Sequence, residues 1–164
     1  MDNLDHLRRQ LVEGLRGENA HMSFEDAVAG FPAWAINGRA PNVAYTPWHI
    51  LEHLRITQWD ILAYIRDPAH VSPDWPIGYW PDPAAAASAD RFAATLAAFR
   101  ADLRAMEAIV LDPDTDLLGP LPHAPQHMIA REARLLANHN SYHVGEFAVL
   151  RQVMGSWGPG HEAA

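Results

Sequence analysis

The chain has 164 residues, of which 49% are hydrophobic and 20% charged, a composition typical of one folded domain rather than a disordered chain. The formal net charge is −8 and no basic cluster is present, which argues against a nucleic-acid partner. The absence of cysteine excludes disulfides, zinc ribbons and thiol nucleophiles, so a metal site has to use His, Asp or Glu.

The sequence also lacks the patterns that direct a chain to a membrane. No apolar run approaches the ~18 residues needed to cross a bilayer, and the first residues do not have the basic-then-apolar pattern of a signal peptide. We therefore expect a soluble cytoplasmic protein with no membrane partner, forming a single domain over residues 1–164.

A periodic run of leucines opens the chain. Leucines recur every three or four residues over about residues 2–16, which predicts an amphipathic helix that ends at Gly17. A short helix is expected after Ser23, a residue suited to cap a helix N-terminus, and Gly30 ends it. Residues 31–45 contain prolines and a glycine and are predicted to form a loop.

The second long helix has clear boundary signals. Thr46 is expected to cap it, with Pro47 at the first helical position, and it extends to about Arg66. Apolar residues occur nearly all round it, which indicates a central, largely buried helix. Residues 67–82 follow as a long loop rich in proline and aromatic residues. Its aromatic side chains either cover one end of the fold or, in the case of Trp80, line a substrate pocket.

Two further helices complete the predicted fold. Residues 83–110 are alanine-rich with one apolar stripe, residues 111–125 form a second proline-rich connection, and the last helix extends over about 126–154. Gly155 ends that helix, and residues 155–164 are expected to form a loose tail. Four long helices without strand-like alternation predict an all-α protein, a four-helix bundle with long connecting loops.

Histidine spacing is the strongest functional signal. Ten histidines include three pairs spaced four apart, namely His49/His53, His123/His127 and His139/His143. The last pair shares one face of a predicted helix with apolar side chains. Burying a polar group without a partner costs about 1–3 kcal/mol. Either hydrogen bonds to backbone or carboxylate groups satisfy these two imidazoles, or a metal ion does.

A metal ion needs a third ligand, and His53 is the best candidate because it lies in the middle of the most buried predicted helix. Three histidines with an open fourth position are typical of a catalytic divalent-metal site. Neutral imidazole suits Zn, Ni, Cu or Fe, and the sequence does not choose among these metals.

One competing pattern overlaps this candidate. Residues 49–53 match the H-x-x-E-H pattern of a metallopeptidase family, in which both histidines bind zinc and Glu52 is the general base. Against this hypothesis, Glu52 and His53 are adjacent and therefore about 100° apart around a helix. Otherwise His49 orients a ligand or lies at the edge of the core.

The other histidines carry weaker signals. Pro125 separates His123 from His127, so their spacing does not indicate a shared helix face. His21 lies in a predicted loop and is assigned to the surface or to the rim of a pocket.

Several short stretches together resemble one known family. These stretches are residues 24–27, 48–55 (WHILEHLR), 79–81, 139–146 (HNSYHVGE), 150–151 and 155–157. In their order and spacing they resemble the DinB/YfiT-like superfamily of metal-binding four-helix proteins. The resemblance implies a four-helix bundle, often a homodimer, whose metal is held by His53, His139 and His143. The characterised enzymes of that family include thiol-dependent transferases and isomerases, in which a metal-bound water or thiolate is the reactive species.

These observations lead to a functional expectation and its alternatives. We expect a divalent-metal enzyme (Zn, Ni or Fe) that activates a water or a low-molecular-weight thiol against a small-molecule substrate, as a hydrolase or a thiol transferase does. Glu52 or Glu146 would orient a ligand histidine, and Tyr142 and Trp80 would be pocket walls. The alternatives are a non-catalytic, metal-stabilised stress or binding module and the H-x-x-E-H metallopeptidase.

Overall fold

Four long helices, joined by long connections, make up most of the chain. The computed structural model describes residues 3–18 and 20–158. In chain order the helices and strands are α1 (Asn3–Arg16), α2 (Phe24–Val28), α3 (Pro47–Arg66), α4 (Ala89–Leu111), β1 (Pro120–Leu121), β2 (Ala124–Met128) and α5 (Ile129–Met154). Helix α3 packs against α4 and α5, and α1 packs against the same two helices. The predicted all-α four-helix bundle is confirmed, with α2 as a short addition.

Side-chain and glycine caps fix the ends of the helices that matter for the site. The Thr46 hydroxyl accepts a hydrogen bond from the backbone N–H of His49 (3.2 Å), and His49 Nδ1 accepts one from the backbone N–H of Thr46 (3.4 Å). At the other end of the chain Gly155 adopts the left-handed conformation (φ 61°) that ends α5. The predicted start of α3 and end of α5 are therefore confirmed.

Two predicted boundaries are wrong for local reasons. The helix expected over 83–110 begins only at Ala89, because the Ser88 hydroxyl caps it by accepting from the backbone N–H of Arg91 (3.2 Å). The connection expected over 111–125 extends to Met128 and contains the antiparallel β1–β2 hairpin, which delays the start of α5. Strand β1 has only two residues, and β2 contains Pro125 and has no alternating burial pattern, so neither gives the sequence signal of a strand.

Helix α3 occupies the centre of the bundle, as its all-round apolar pattern predicts. Twelve of its twenty residues are buried. Among them, Gln58 donates a hydrogen bond to the carbonyl of Phe99 on α4 (2.6 Å) and accepts one from the Asn140 side chain on α5 (3.1 Å). These buried polar contacts join three helices at one level and fix how α3 and α5 face each other.

The remaining expectations concern membranes and the C-terminal tail. In the part of the chain that the structure describes, no helix is both long and apolar enough to cross a bilayer. The expected tail is not loose at its start, because Ser156 is buried and its N–H donates to the Arg151 carbonyl (3.0 Å), which packs it against α5. Residues 159–164 of the tail lie outside the described residues.

Candidate metal centre

Three imidazoles converge where α3 faces α5. His53 lies on α3, and His139 and His143 lie one turn apart on α5. His53 Nε2 is 3.0 Å from His139 Nε2 and 3.2 Å from His143 Nε2, and one ligand atom from each residue falls within 4.8 Å of the others. His53 is 1% exposed, and the other two are half-buried. The structure therefore forms a three-histidine cluster that could hold a metal ion.

Outer hydrogen bonds determine which ring nitrogen carries the proton in two of these histidines. His53 Nδ1 lies 2.8 Å from the backbone carbonyl of Tyr79, and His143 Nδ1 lies 2.7 Å from Glu146 Oε2. Both oxygens can only accept, so Nδ1 carries the hydrogen and Nε2 presents a lone pair to the centre. Such outer partners are typical of metal-binding histidines.

The spacing of these lone pairs fits a divalent metal. Lone pairs that face each other at 3.0–3.2 Å repel unless a cation or a proton lies among them. In tetrahedral zinc sites each imidazole nitrogen lies about 2.0–2.1 Å from the metal, which separates two such nitrogens by about 3.3 Å. The donor set and its spacing therefore match the requirements of a metal site.

Burial keeps two of the imidazoles neutral. Loss of hydration lowers the pKa of His53 to about 4 and that of His139 to about 3, and the neighbouring histidines contribute in the same direction. The hydrogen bond from His143 lowers the pKa of Glu146, which is therefore ionised at neutral pH. Neutral His53 and His139 beside an ionised Glu146 suit a cation, because neither imidazole carries a positive charge that would repel it.

Mild acid is expected to destabilise the metal-free protein. Because the pKa values of His53 and His139 are lowered from 6.5 in the folded state, the unfolded chain binds more protons below that pH. The free energy of unfolding should therefore fall as the pH falls from 6.5 towards the lowered values. Denaturant titrations between about pH 6.5 and 4.5 measure this slope, since model carboxylates titrate mainly below that window.

Two variants test the origin of that slope. His139→Gln removes one of the two groups and should flatten the profile, whereas His6→Gln, which changes an exposed histidine on α1, should leave it unchanged. Parallel profiles for His139→Gln and the unmodified protein would contradict the assignment.

Aromatic side chains surround the cluster. The Trp80 indole lies parallel to the His53 ring at a centroid distance of 4.0 Å and an interplanar angle of 6°, and the Tyr45 ring stacks on Trp80 at 5.6 Å. The Tyr45 hydroxyl donates to Glu146 Oε1, and burial together with that hydrogen bond raises its pKa to about 12. Tyr142, 69% exposed, meets the His143 ring edge-on at 4.8 Å.

Comparison with known proteins agrees with this arrangement. The family model described as the DinB superfamily matches residues 4–147, a span that contains all three histidines. The chain belongs to the DinB superfamily. The resemblance found in its sequence motifs is therefore confirmed. The searches of curated proteins and of solved structures returned no match.

Glu52 and His49 do not join the histidine cluster of this DinB-superfamily chain. The Glu52 carboxylate accepts hydrogen bonds from Arg55 (2.9 and 3.0 Å) and from the Thr95 hydroxyl (2.8 Å), on the α4 side of α3. His49 uses both ring nitrogens elsewhere: Nδ1 in the α3 cap, and Nε2 with the carbonyl of Ala85 (2.9 Å). The metallopeptidase hypothesis needs His49 and His53 on one metal, and this geometry does not support it.

His21, His123 and His127 also lie outside the cluster. His127 is on β2, where its Nδ1 meets the Tyr64 hydroxyl (2.8 Å), and the His123 ring meets the edge of Tyr64 at 5.0 Å. His21 is exposed and its Nε2 lies 2.6 Å from Ser141 Oγ, in agreement with a surface position.

Tyr45 is the neighbour of the cluster that sequence reasoning missed. It immediately precedes the α3 cap, and that position is the only sequence signal that it lies near the site. Nothing in the loop composition shows that its hydroxyl reaches Glu146 on α5.

Proposed function

We propose that this DinB-superfamily protein is a divalent-metal-dependent enzyme of the hydrolase or thiol-transferase type, with His53, His139 and His143 as ligands. The observation that carries the proposal is the convergence of three imidazoles, in which His53 Nε2 lies 3.0 Å from His139 Nε2 and 3.2 Å from His143 Nε2. Within residues 3–18 and 20–158, no fourth His, Asp or Glu belongs to this group. Catalytic sites combine three protein ligands with an exchangeable fourth position.

A divalent ion at this position would supply a Lewis acid that lowers the pKa of a water or thiol ligand. The protein's own contribution is orientation and exclusion of water. The Tyr79 carbonyl and the Glu146 carboxylate hold the Nδ1 protons of His53 and His143, so that both rings keep their inward lone pairs. The Trp80 indole covers one face of His53.

These contacts support three of the expected roles, one in orienting a ligand histidine and two in lining a pocket. We assign the orienting role to Glu146 rather than Glu52, because only Glu146 contacts one of the three histidines through a hydrogen bond. A cavity of about 440 Å³ lies beside Trp80 and is lined otherwise by Ile77 and residues of a proline-rich turn. None of the three histidines lines it, so only Trp80 would connect a substrate group held there with the cluster. Tyr142 stands at the exposed side of His143 and would be a second wall.

A thiol-consumption assay tests the catalytic proposal. Metal-free protein is loaded with Zn, Ni or Fe and supplied with a low-molecular-weight thiol and a panel of electrophiles, with ester hydrolysis as a parallel assay. Because the chain contains no cysteine, loss of thiol reports only on the cosubstrate. We expect metal-dependent turnover that falls by more than about 100-fold in His139→Ala, since even residues that only orient metal ligands contribute roughly 10- to 100-fold.

A control variant and two contrary results make the catalytic proposal testable. His6→Ala, at an exposed position on α1, should retain full turnover. Turnover that persists in His139→Ala would contradict the proposal. Metal binding without turnover across the panel would also contradict catalysis and favour the alternative, a non-catalytic metal-stabilised module.

We also propose that the protein forms a homodimer, as the family resemblance implies. Support comes from three apolar side chains exposed on α5 at seven-residue spacing, Leu135, Tyr142 and Val149. Residues seven apart share a helix face and can pack against a second helix. Light scattering should give twice the chain mass of 18.2 kDa, and a mass of 18.2 kDa at micromolar concentration would exclude this proposal.

A further inference from the structure

The connection between α3 and α4 passes over the histidine cluster and touches His53 twice. We call residues 67–82 of this connection the strap. The Tyr79 carbonyl of the strap accepts the His53 Nδ1 proton at 2.8 Å, and the next residue, Trp80, stacks on the His53 ring at 4.0 Å. The orientation of the His53 imidazole therefore depends on where the strap lies.

Asp60, a buried carboxylate on α3, holds two separate points of the strap. It lies seven residues after His53, two helical turns further along α3, and is 7% exposed. Its Oδ2 accepts a hydrogen bond from the Tyr79 hydroxyl (2.6 Å), and its Oδ1 lies 2.7 Å from His70 Nε2. Both carboxylate oxygens are thus used by groups of the strap.

Tyr79 connects Asp60 with His53 because it forms a hydrogen bond to each of them. Its hydroxyl is bound to the Asp60 carboxylate, while its backbone carbonyl receives the proton of His53. Two other backbone hydrogen bonds of the strap lie away from His53. The Gly78 N–H donates to the Asp74 carbonyl (2.7 Å) and shapes the turn before Tyr79, and the Asp67 N–H donates to the Ala63 carbonyl (2.8 Å) where α3 ends.

We propose that Asp60 is a positioning residue of the metal centre. By holding His70 and Tyr79, it keeps the Tyr79 carbonyl and the Trp80 indole on His53, and so keeps the His53 lone pair directed at the other two histidines. This inference rests on the proposed metal-binding function. Asp60 contacts no ligand histidine itself and acts through the strap.

The test compares Asp60→Asn with Tyr79→Phe. Asparagine keeps the size of the side chain but has one oxygen in place of two, and phenylalanine removes the hydroxyl while it keeps the ring and the carbonyl. Zinc affinity is measured by competition with a chelator, and we expect each variant to bind about 10- to 100-fold more weakly than the unmodified protein. The two losses should not add in the double variant, since both act on one contact.

A second readout does not depend on metal. Long-range proton–nitrogen NMR of the metal-free protein reports which nitrogen of His53 carries the proton. We expect Nδ1 in the unmodified protein and a mixture of Nδ1 and Nε2 in Asp60→Asn. Asp74→Asn, the same chemical change at an exposed position of the strap, should match the unmodified protein in both readouts.

The outcomes separate positioning from general stability. Unchanged zinc affinity and an unchanged His53 tautomer in Asp60→Asn would overturn the inference, as would weaker binding with an unchanged tautomer. If Asp60→Asn does not fold, Tyr79→Phe decides in the same way. If the unmodified protein binds no zinc, the proposed function fails, and the tautomer measurement still shows whether Asp60 positions His53.

Discussion

Replacing His139 with alanine is expected to weaken zinc binding by more than about 100-fold, because the variant leaves only two of the three converging nitrogens. The expected loss exceeds the roughly 10- to 100-fold that changes in groups behind metal ligands cause. His139 Nε2 lies 3.0 Å from His53 Nε2, so its removal also leaves the most buried imidazole without its nearest neighbour in the cluster. Chelator competition at neutral pH measures the affinity.

A matched control exists within the same chain. His127 is also half-buried and also belongs to an i,i+4 histidine pair, but it contacts Tyr64 at the hairpin and lies outside the cluster. His127→Ala should therefore retain zinc affinity. Equal losses in His127→Ala and His139→Ala would show that zinc binds elsewhere or without selectivity.

The second large effect concerns stability. Arg151→Ala is expected to lower the free energy of unfolding by about 3 kcal/mol, because the change removes hydrogen bonds from a charged group and leaves buried acceptors unpaired. Arg151 is 1% exposed, and its guanidinium donates to the carbonyls of Ala27 (2.6 Å), Ala29 (2.9 Å) and Ser156 (3.0 Å). These bonds tie α5 to α2 and to the residues after α5.

Ring contacts add to the expected loss. The guanidinium lies 3.7 Å from the centroid of Trp157 and 5.2 Å from that of Phe31, distances within the range of cation–π attraction. Urea unfolding followed by circular dichroism measures the effect, and Arg134→Ala, at an exposed position on α5, is the control. A loss below about 1 kcal/mol, the usual value for an exposed side chain, would contradict the role assigned to Arg151.

Periodicity predicted the part of the site that lies within a single helix. His139, His143 and Glu146 are spaced by three or four residues, so a helix places them together whatever the rest of the fold does. The same rule explains the choice between the two candidate carboxylates. Glu146 lies three residues from His143 and reaches it, whereas Glu52 is adjacent to His53 and points away towards Thr95.

The third histidine required an argument from tertiary structure. The all-round apolar pattern of its helix predicts a central position for His53, and the packing of α3 against α4 and α5 confirms it. No spacing rule relates His53 to residues 86 and 90 positions later. The family resemblance supplied the same residue independently, and the structure brings the three together.

The loops were the least predictable part. Tyr45 and Asp60 were not assigned to the site, since their roles depend on where an irregular segment crosses a helix, and such segments have no periodicity. Trp80 was left with two interpretations, and its stacking on His53 places it at the cluster. The β1–β2 hairpin gives no sequence signal, because β1 has two residues and β2 contains a proline and does not alternate.

In anomalous diffraction from zinc-loaded crystals, the three-histidine assignment predicts one strong peak per chain, bonded to the Nε2 atoms of His53, His139 and His143, with a position left for an exchangeable ligand. A chain without a peak at these three atoms, or with zinc held instead at His123 and His127, would contradict it.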